Sequence, residues 1–191
     1  MPQAVSSKKW AVVPHPLQLG YEHYQVGRMK SAEELCDQVL AERPDDAAAV
    51  HLLGLVLVKA GRFDEGIRLL RRSVALAPIT AEFHSNFGNI LAKADQLREA
   101  VAELREAIRL QPTFGPAHRN LGLALARSGR LDEAIEAMRE ASLLLPGEQD
   151  TISDLIALCL QTGRADEAVE HTRKLLPLRS DDVRLHSDLL V

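Results

Sequence analysis

The sequence is poor in aromatic residues, which make up 4% of its 191 positions and include a single tryptophan, Trp10. Half-buried sheets draw on aromatic and β-branched side chains. Their scarcity in a 46% hydrophobic chain rich in leucine and alanine points instead to closely packed helices. Basic residues are not in excess either. The formal net charge is −4, without the footprint that neutralising a phosphate backbone requires, so nucleic acid is excluded as the expected partner. No run reaches the roughly 18 apolar residues of a membrane-spanning helix, and membrane insertion is not expected. Lys8 and Lys9 precede Trp10, Ala11, Val12 and Val13, but Pro14 closes that run well short of a secretory leader. Cysteine is limited to Cys36 and Cys159, on apolar stripes three repeat units apart. A disulfide needs Cα atoms within about 7 Å, so two buried thiols are expected. These absences together predict a cytoplasmic, reduced protein.

What the sequence does contain is a period. Pro44, Pro78, Pro112 and Pro146 stand 34 residues apart. Gly54, Gly88 and Gly122 share that period, as do Gly27, Gly61, Gly129 and Gly163, with Asp95 standing in once. A third column reads Ala32, Gly66, Ala100, Ala134 and Ala168. Within a unit, Val50, Leu53, Gly54 and Leu57 follow the i, i+3, i+4, i+7 rule for one helix face, and His84, Phe87, Gly88 and Leu91 repeat it. A second helix carries Phe63, Ile67, Leu70 and Val74, then Leu97, Val101, Leu104 and Ile108, then Leu131, Ile135 and Met138. Glycine ends the first helix, acidic pairs such as Asp132 and Glu133 face the start of the second, and proline closes it. Asp46 and Thr80 are candidate caps for the helices that follow them.

A 34-residue helix–turn–helix with Leu53-Gly54, Leu121-Gly122, Ala134, Ala141 and Pro146 resembles the tetratricopeptide repeat. The resemblance implies an all-α fold, a right-handed α-solenoid of stacked antiparallel helix hairpins. It divides the chain into an N-terminal tail (1–12), a degenerate hairpin (13–46) and repeats at 47–80, 81–114 and 115–148. A divergent repeat (149–182) follows, with Ile156 in the glycine column and Ser180 in the proline column, and then the start of a capping or linker helix (183–191).

In this family the first helix of each unit lines the concave side, where ligands bind, which implies a scaffold that holds a peptide or partner protein. Four columns lie opposite the packing stripe. One reads His51, Ser85, Arg119 and Ser153, and the next Leu52, Asn86, Asn120 and Asp154. A third reads Leu55, Asn89, Leu123 and Ala157, and a fourth Lys59, Lys93, Arg127 and Gln161. Asparagine both donates and accepts, so a row of them can hold an extended peptide backbone of any sequence. The row resembles the asparagine ladder of O-linked N-acetylglucosamine transferases, with Asn86 and Asn120 matching and Leu52 and Asp154 departing. The other account is that asparagine is common on a solvated helix face. The basic column either attracts acidic ligand side chains or complements helix C-termini. Candidate peptide-binding residues are therefore His51, Lys59, Ser85, Asn86, Asn89, Lys93, Arg119, Asn120 and Arg127. With His51, Leu55 and Pro116 at the sites where chaperone-binding relatives clamp a terminal carboxylate, that use is not expected.

No catalytic residue, metal ligand or cofactor is expected. His84 and His118 fall on the packing stripe of successive units, whose helices stand about 8–10 Å apart, too far to share one zinc. Glu99, Glu103 and Glu106 form an acidic row that reads as a solvated outer face. Arg184, Leu185, His186, Ser187, Asp188, Leu189 and Leu190 look like the stretch joining repeats to catalytic region in bacterial relatives of the O-linked N-acetylglucosamine transferases. This implies an alternative, a substrate-recognition domain of a larger glycosyltransferase. The apolar Leu189, Leu190 and Val191 also offer a surface for self-association.

Overall fold

The computed structural model describes residues 15–188, with side chains to Leu178; the 1–12 tail and Leu189 to Val191 lie outside the described residues. Ten α-helices and no strand occur among the described residues. They pair in chain order as α1 (Pro16–Gln25) with α2 (Met29–Glu42), α3 (Ala47–Lys59) with α4 (Phe63–Leu76), and α5 (Ala81–Lys93) with α6 (Leu97–Leu110). α7 (Gly115–Arg127) pairs with α8 (Leu131–Leu144), and α9 (Gln149–Gln161) with α10 (Ala165–Asp188). Each second helix also packs on the first helix of the next hairpin. First helices of successive hairpins touch, α1 with α3 and α5 with α7, whereas second helices make no comparable contact. The stack therefore bends with its first helices on the inside.

The turn inside each hairpin needs a residue with positive φ, supplied by Gly27, Gly61, Gly129 and Gly163 at φ from 75° to 87° and by Asp95 at 62°. There the amide of Gly61 donates to the Val58 carbonyl (3.0 Å) and that of Arg62 to the Leu57 carbonyl (2.8 Å), a Schellman closure of α3. Second helices stop for a different reason. Arg43, Ala77, Gln111 and Leu145 precede the prolines and sit at φ between −126° and −139°, outside helical geometry. Asp46 caps α3 by accepting from the Ala49 amide at 2.9 Å. Thr80 makes no such bond, so the cap expected there is absent.

α10 departs from the expectation of a separate helix beginning at Val183: it runs unbroken from Ala165 to Asp188 through Pro177. In the earlier units proline stands two residues beyond the last helical position, and Ser180 occupies that column here. Serine keeps its N–H, so nothing at that column stops the helix. Pro177, at the place of Leu143, removes one internal bond at a cost of about 3 kcal/mol.

A large apolar cluster runs through the last four hairpins, from Leu70 through Phe87, Leu104 and Leu125 to Met138 and Leu155, and a smaller one joins Cys36 to Leu52 and Val56. On the outer side an Arg–Glu ladder links second helices: Arg71–Glu99 (2.7 Å), Arg105–Glu133 (3.0 Å) and Arg139–Glu167 (2.5 Å). The first hairpin has Asp37 in the arginine column, and Arg62 reaches Glu33 instead, at 2.6 Å.

The α3–α4 contact leaves no room for a methyl group at Gly66. A Cβ added at Gly66 would stand 2.5 Å from Val58 Cγ2 and 2.7 Å from the Gly54 carbonyl oxygen. The next two units carry Ala92 with Ala100 and Ala126 with Ala134, so Val58 takes the room that Gly66 gives up. Gly66→Ala gains about 1 kcal/mol of helix propensity but overpacks a contact at a typical cost of about 1–3 kcal/mol. We expect a net loss of stability in urea unfolding, partly recovered by adding Val58→Ala. A midpoint at or above that of the parent would refute the compensation.

Candidate functional site

The inner surface is lined by α3, α5, α7 and α9, and the four columns read from the sequence occupy it unequally. His51 and Ser85, expected on the open face, are buried, at 0% and 1% exposure. The reason is geometric: each faces the junction with the next unit, which covers it. The His51 ring stacks on Phe83 with centroids 4.1 Å apart and planes 12° apart. Its Nε2 accepts from Asn86 Nδ2 at 3.3 Å, and its buried Nδ1 has no partner. Burial lowers the His51 pKa from 6.5 to about 4. Asn120 Nδ2 likewise donates to Ser85 Oγ at 3.5 Å, and Arg119 Nη2 to Asp154 Oδ2 at 3.4 Å. All three bonds span 35 residues. The first two columns therefore form rungs between successive units, and the amides of Asn86 and Asn120 are engaged. This departs from a ladder of free amides facing a peptide.

The basic column is also partly committed. Lys59 Nζ donates to the Tyr24 carbonyl at 3.1 Å and lies 4.6 Å from the centre of the Tyr24 ring. Arg127 donates to the Ala92 carbonyl and, at 3.0 Å, to Asp95. Lys93 is exposed and bonds to no described residue. Half-buried Asn89, between half-buried Leu55 and Leu123 in its column, is equally unengaged among the described residues. Sequence reasoning missed Tyr24 and Phe83 as inner-face partners. The available signal was spacing: a column residue of one unit meets its neighbour about one repeat away.

The other polar clusters hold the stack together. His84 places Nδ1 2.7 Å from Glu103 Oε2 and Nε2 3.0 Å from the Pro78 carbonyl, and His118 Nε2 lies 2.8 Å from the Pro112 carbonyl. Of the acidic row, Glu99 pairs with Arg71, Glu103 with His84 and Glu106 with Arg109. Hydrogen bonding from Arg109 holds the Glu106 carboxyl below its usual pKa. Cys36 and Cys159 are both free and buried, and burial pushes the Cys36 thiol up to about 12, far from a reactive thiolate. Among the described residues no group of three or more His, Cys, Asp or Glu is placed to hold a metal ion, and no helix is long and apolar enough to cross a membrane. Arg184 to Asp188 lie at the end of α10 without described side chains, and Leu189 and Leu190 lie outside the described residues.

Comparison with known proteins agrees with the architecture. One tetratricopeptide repeat model matches residues 85–143, and a second matches 23–86 and 125–190. No curated protein sequence matches. Among solved structures, MamA AMB-1 is 30% identical with a TM-score of 0.74, covering 88% of this chain and 99% of that one. A crystal structure of MamA is 25% identical with a TM-score of 0.76, covering 87% and 97%. MamA 41-end from Desulfovibrio magneticus RS-1, 21% identical with a TM-score of 0.76, covers 87% and 94% and shares the fold. The repeat period, the paired helices and the family models lead to one assignment: the chain belongs to the tetratricopeptide repeat family.

Proposed function

We propose that this chain is a protein-interaction scaffold whose inner face holds an extended segment of a partner protein. The observation that carries the reading is that the Asn89 amide and the Lys93 ammonium are unengaged among the described residues, beside the half-buried Leu55 and Leu123. A donor–acceptor amide beside a cation on an apolar floor suits a segment with an acidic residue next to aliphatic ones. Asn86 and Asn120 contribute by fixing the spacing of the helices that present these groups, and Lys59 and Arg127 by closing the rim.

The test is a pull-down with mass spectrometry, followed by fluorescence anisotropy on the captured segment. Asn89→Ala combined with Lys93→Glu is expected to weaken binding about tenfold or more, the scale of losing one charged hydrogen bond. Neither residue bonds within the described chain, so the helical signal and melting temperature stay at parental values. Unaltered affinity in this variant removes the inner face as the binding site.

A further inference from the structure

The unit at 81–114 breaks the repeat pattern at four positions that converge on one place. Asp95 replaces the turn glycine of the other units, and Gln96 replaces Arg28, Arg62, Arg130 and Arg164. Arg98 stands where three units have Asp64, Asp132 and Asp166, and Ala102 where the others carry Glu34, Arg68, Glu136 and Glu170. All four line a cavity of about 810 Å³ between the start of α6 and the α7–α8 turn. Leu97, Val101 and Ala102 make its apolar wall, and Arg98, Arg105 and Arg130 also line it. It opens at the hairpin-turn end of the stack, against α6, and shares Asp95 with Arg127 of the inner rim. Ala102 contributes only a methyl group there, whereas the other units carry a long charged side chain at that position.

The charges there are unbalanced for a reason visible in the next unit. Arg164 crosses back to Asp132 at 2.6 Å. At the equivalent positions one repeat earlier stand Arg130 and Arg98, two cations in place of an ion pair. Both Arg105 and Arg130 draw on the one carboxylate of Glu133, at 3.0 and 2.6 Å. Arg98 pairs with no described residue. Counting the lining charges and their partners gives Arg71, Arg98, Arg105, Arg127 and Arg130 against Asp95, Glu99 and Glu133. That is an excess of two positive charges in a chain whose formal net charge is −4.

We propose that this cavity is a second binding site, which receives a carboxylate or phosphate group carried on a partner protein segment, with an adjacent aliphatic side chain seated on Leu97, Val101 and Ala102. The anion takes the place that Asp132 holds opposite Arg164 one repeat later, between Arg98 and Arg130, and planar guanidiniums recognise such groups through paired hydrogen bonds. The site is independent of the inner-face reading.

The test uses three fluorescein-labelled short peptides: two glutamates flanked by leucines, the same peptide with phosphoserine for one glutamate, and a glutamine control. The parent chain is expected to bind the two anionic peptides and not the control; the stronger of the two distinguishes carboxylate from phosphate. Arg98→Asp reproduces opposite Arg130 the Arg164–Asp132 crossing of the next junction, so it is expected to keep or raise the melting temperature while weakening anionic-peptide binding about tenfold or more. Ala102→Glu, which extends into the cavity the residue that three of the other units carry, gives the same loss by a second route. Asn89→Ala with Lys93→Glu leaves this binding intact. Equal binding of all three peptides by the parent, parental affinity in Arg98→Asp, or loss in the inner-face variant overturns the proposal.

Discussion

Acidification is expected to remove about 3 kcal/mol of folding stability through His51 alone, between its ordinary pKa of 6.5 and the buried value of about 4. The ring is fully buried, and burial disfavours its charged form. Above pH 6.5 the imidazole is neutral in both folded and unfolded chains, and the whole contribution is present. As pH falls from there, the unfolded chain takes up the proton and the folded chain refuses it, so stability declines by about 1.4 kcal/mol per pH unit. Near pH 4 the folded ring also protonates and the decline from this group ends. His51→Gln keeps an acceptor for Asn86 and removes the titration. Urea unfolding of parent and variant across this range should show two profiles converging as pH drops. Parallel profiles would mean that His51 is hydrated or charged in the folded chain.

Truncating Leu104 to alanine is expected to cost about 3 kcal/mol, within the range for emptying a buried leucine site. Leu104 is fully buried, and a Cβ added at Gly88 would lie 2.6 Å from its Cγ, so the side chain rests directly on the bare backbone of α5. The cluster it belongs to passes through four hairpins. In a stack each unit is stabilised by its neighbours, so a cavity in the 81–114 unit weakens the contacts on both sides. Thermal unfolding of Leu104→Ala should begin well below that of Leu143→Ala, which trims a side chain 70% exposed. Similar curves for the two variants would show that the core relaxes around the cavity without loss.

The period was fully legible, because proline, glycine and alanine columns act locally: a missing N–H, a positive φ and a close helix contact each constrain one residue. The all-α solenoid followed from them. The faces were less legible. His51 sits where the helix rotation predicts an open position, but Phe83, on the next unit, closes over it. Asn86 and Asn120 read as free amides because their partners lie on another helix 35 residues back. The segment from Val183 reads as a separate helix, yet Ser180 keeps the N–H that proline lacks and α10 runs on to Asp188. For His51, Asn86 and Asn120 the deciding atom belongs to a neighbour in space that one helix's periodicity does not reveal. Asp95 was visible as a departure, whereas its convergence with Gln96, Arg98 and Ala102 emerges only when the α7–α8 turn is laid beside α6.

The rungs at His51–Asn86, Ser85–Asn120 and Arg119–Asp154 make the stack a beam laced along its inner edge, while the Arg–Glu ladder laces the outer one. Bending it tighter slackens one lacing and stretches the other. Each tie is weak, about 1 kcal/mol or less. If the segment proposed above borrows the Asn86 or Asn120 amide, it cuts an inner tie, and the pitch of the coil relaxes at that joint. Occupancy and curvature are then reciprocal quantities, so straightening the beam by force must change its grip on the segment, and releasing the segment must change its stiffness.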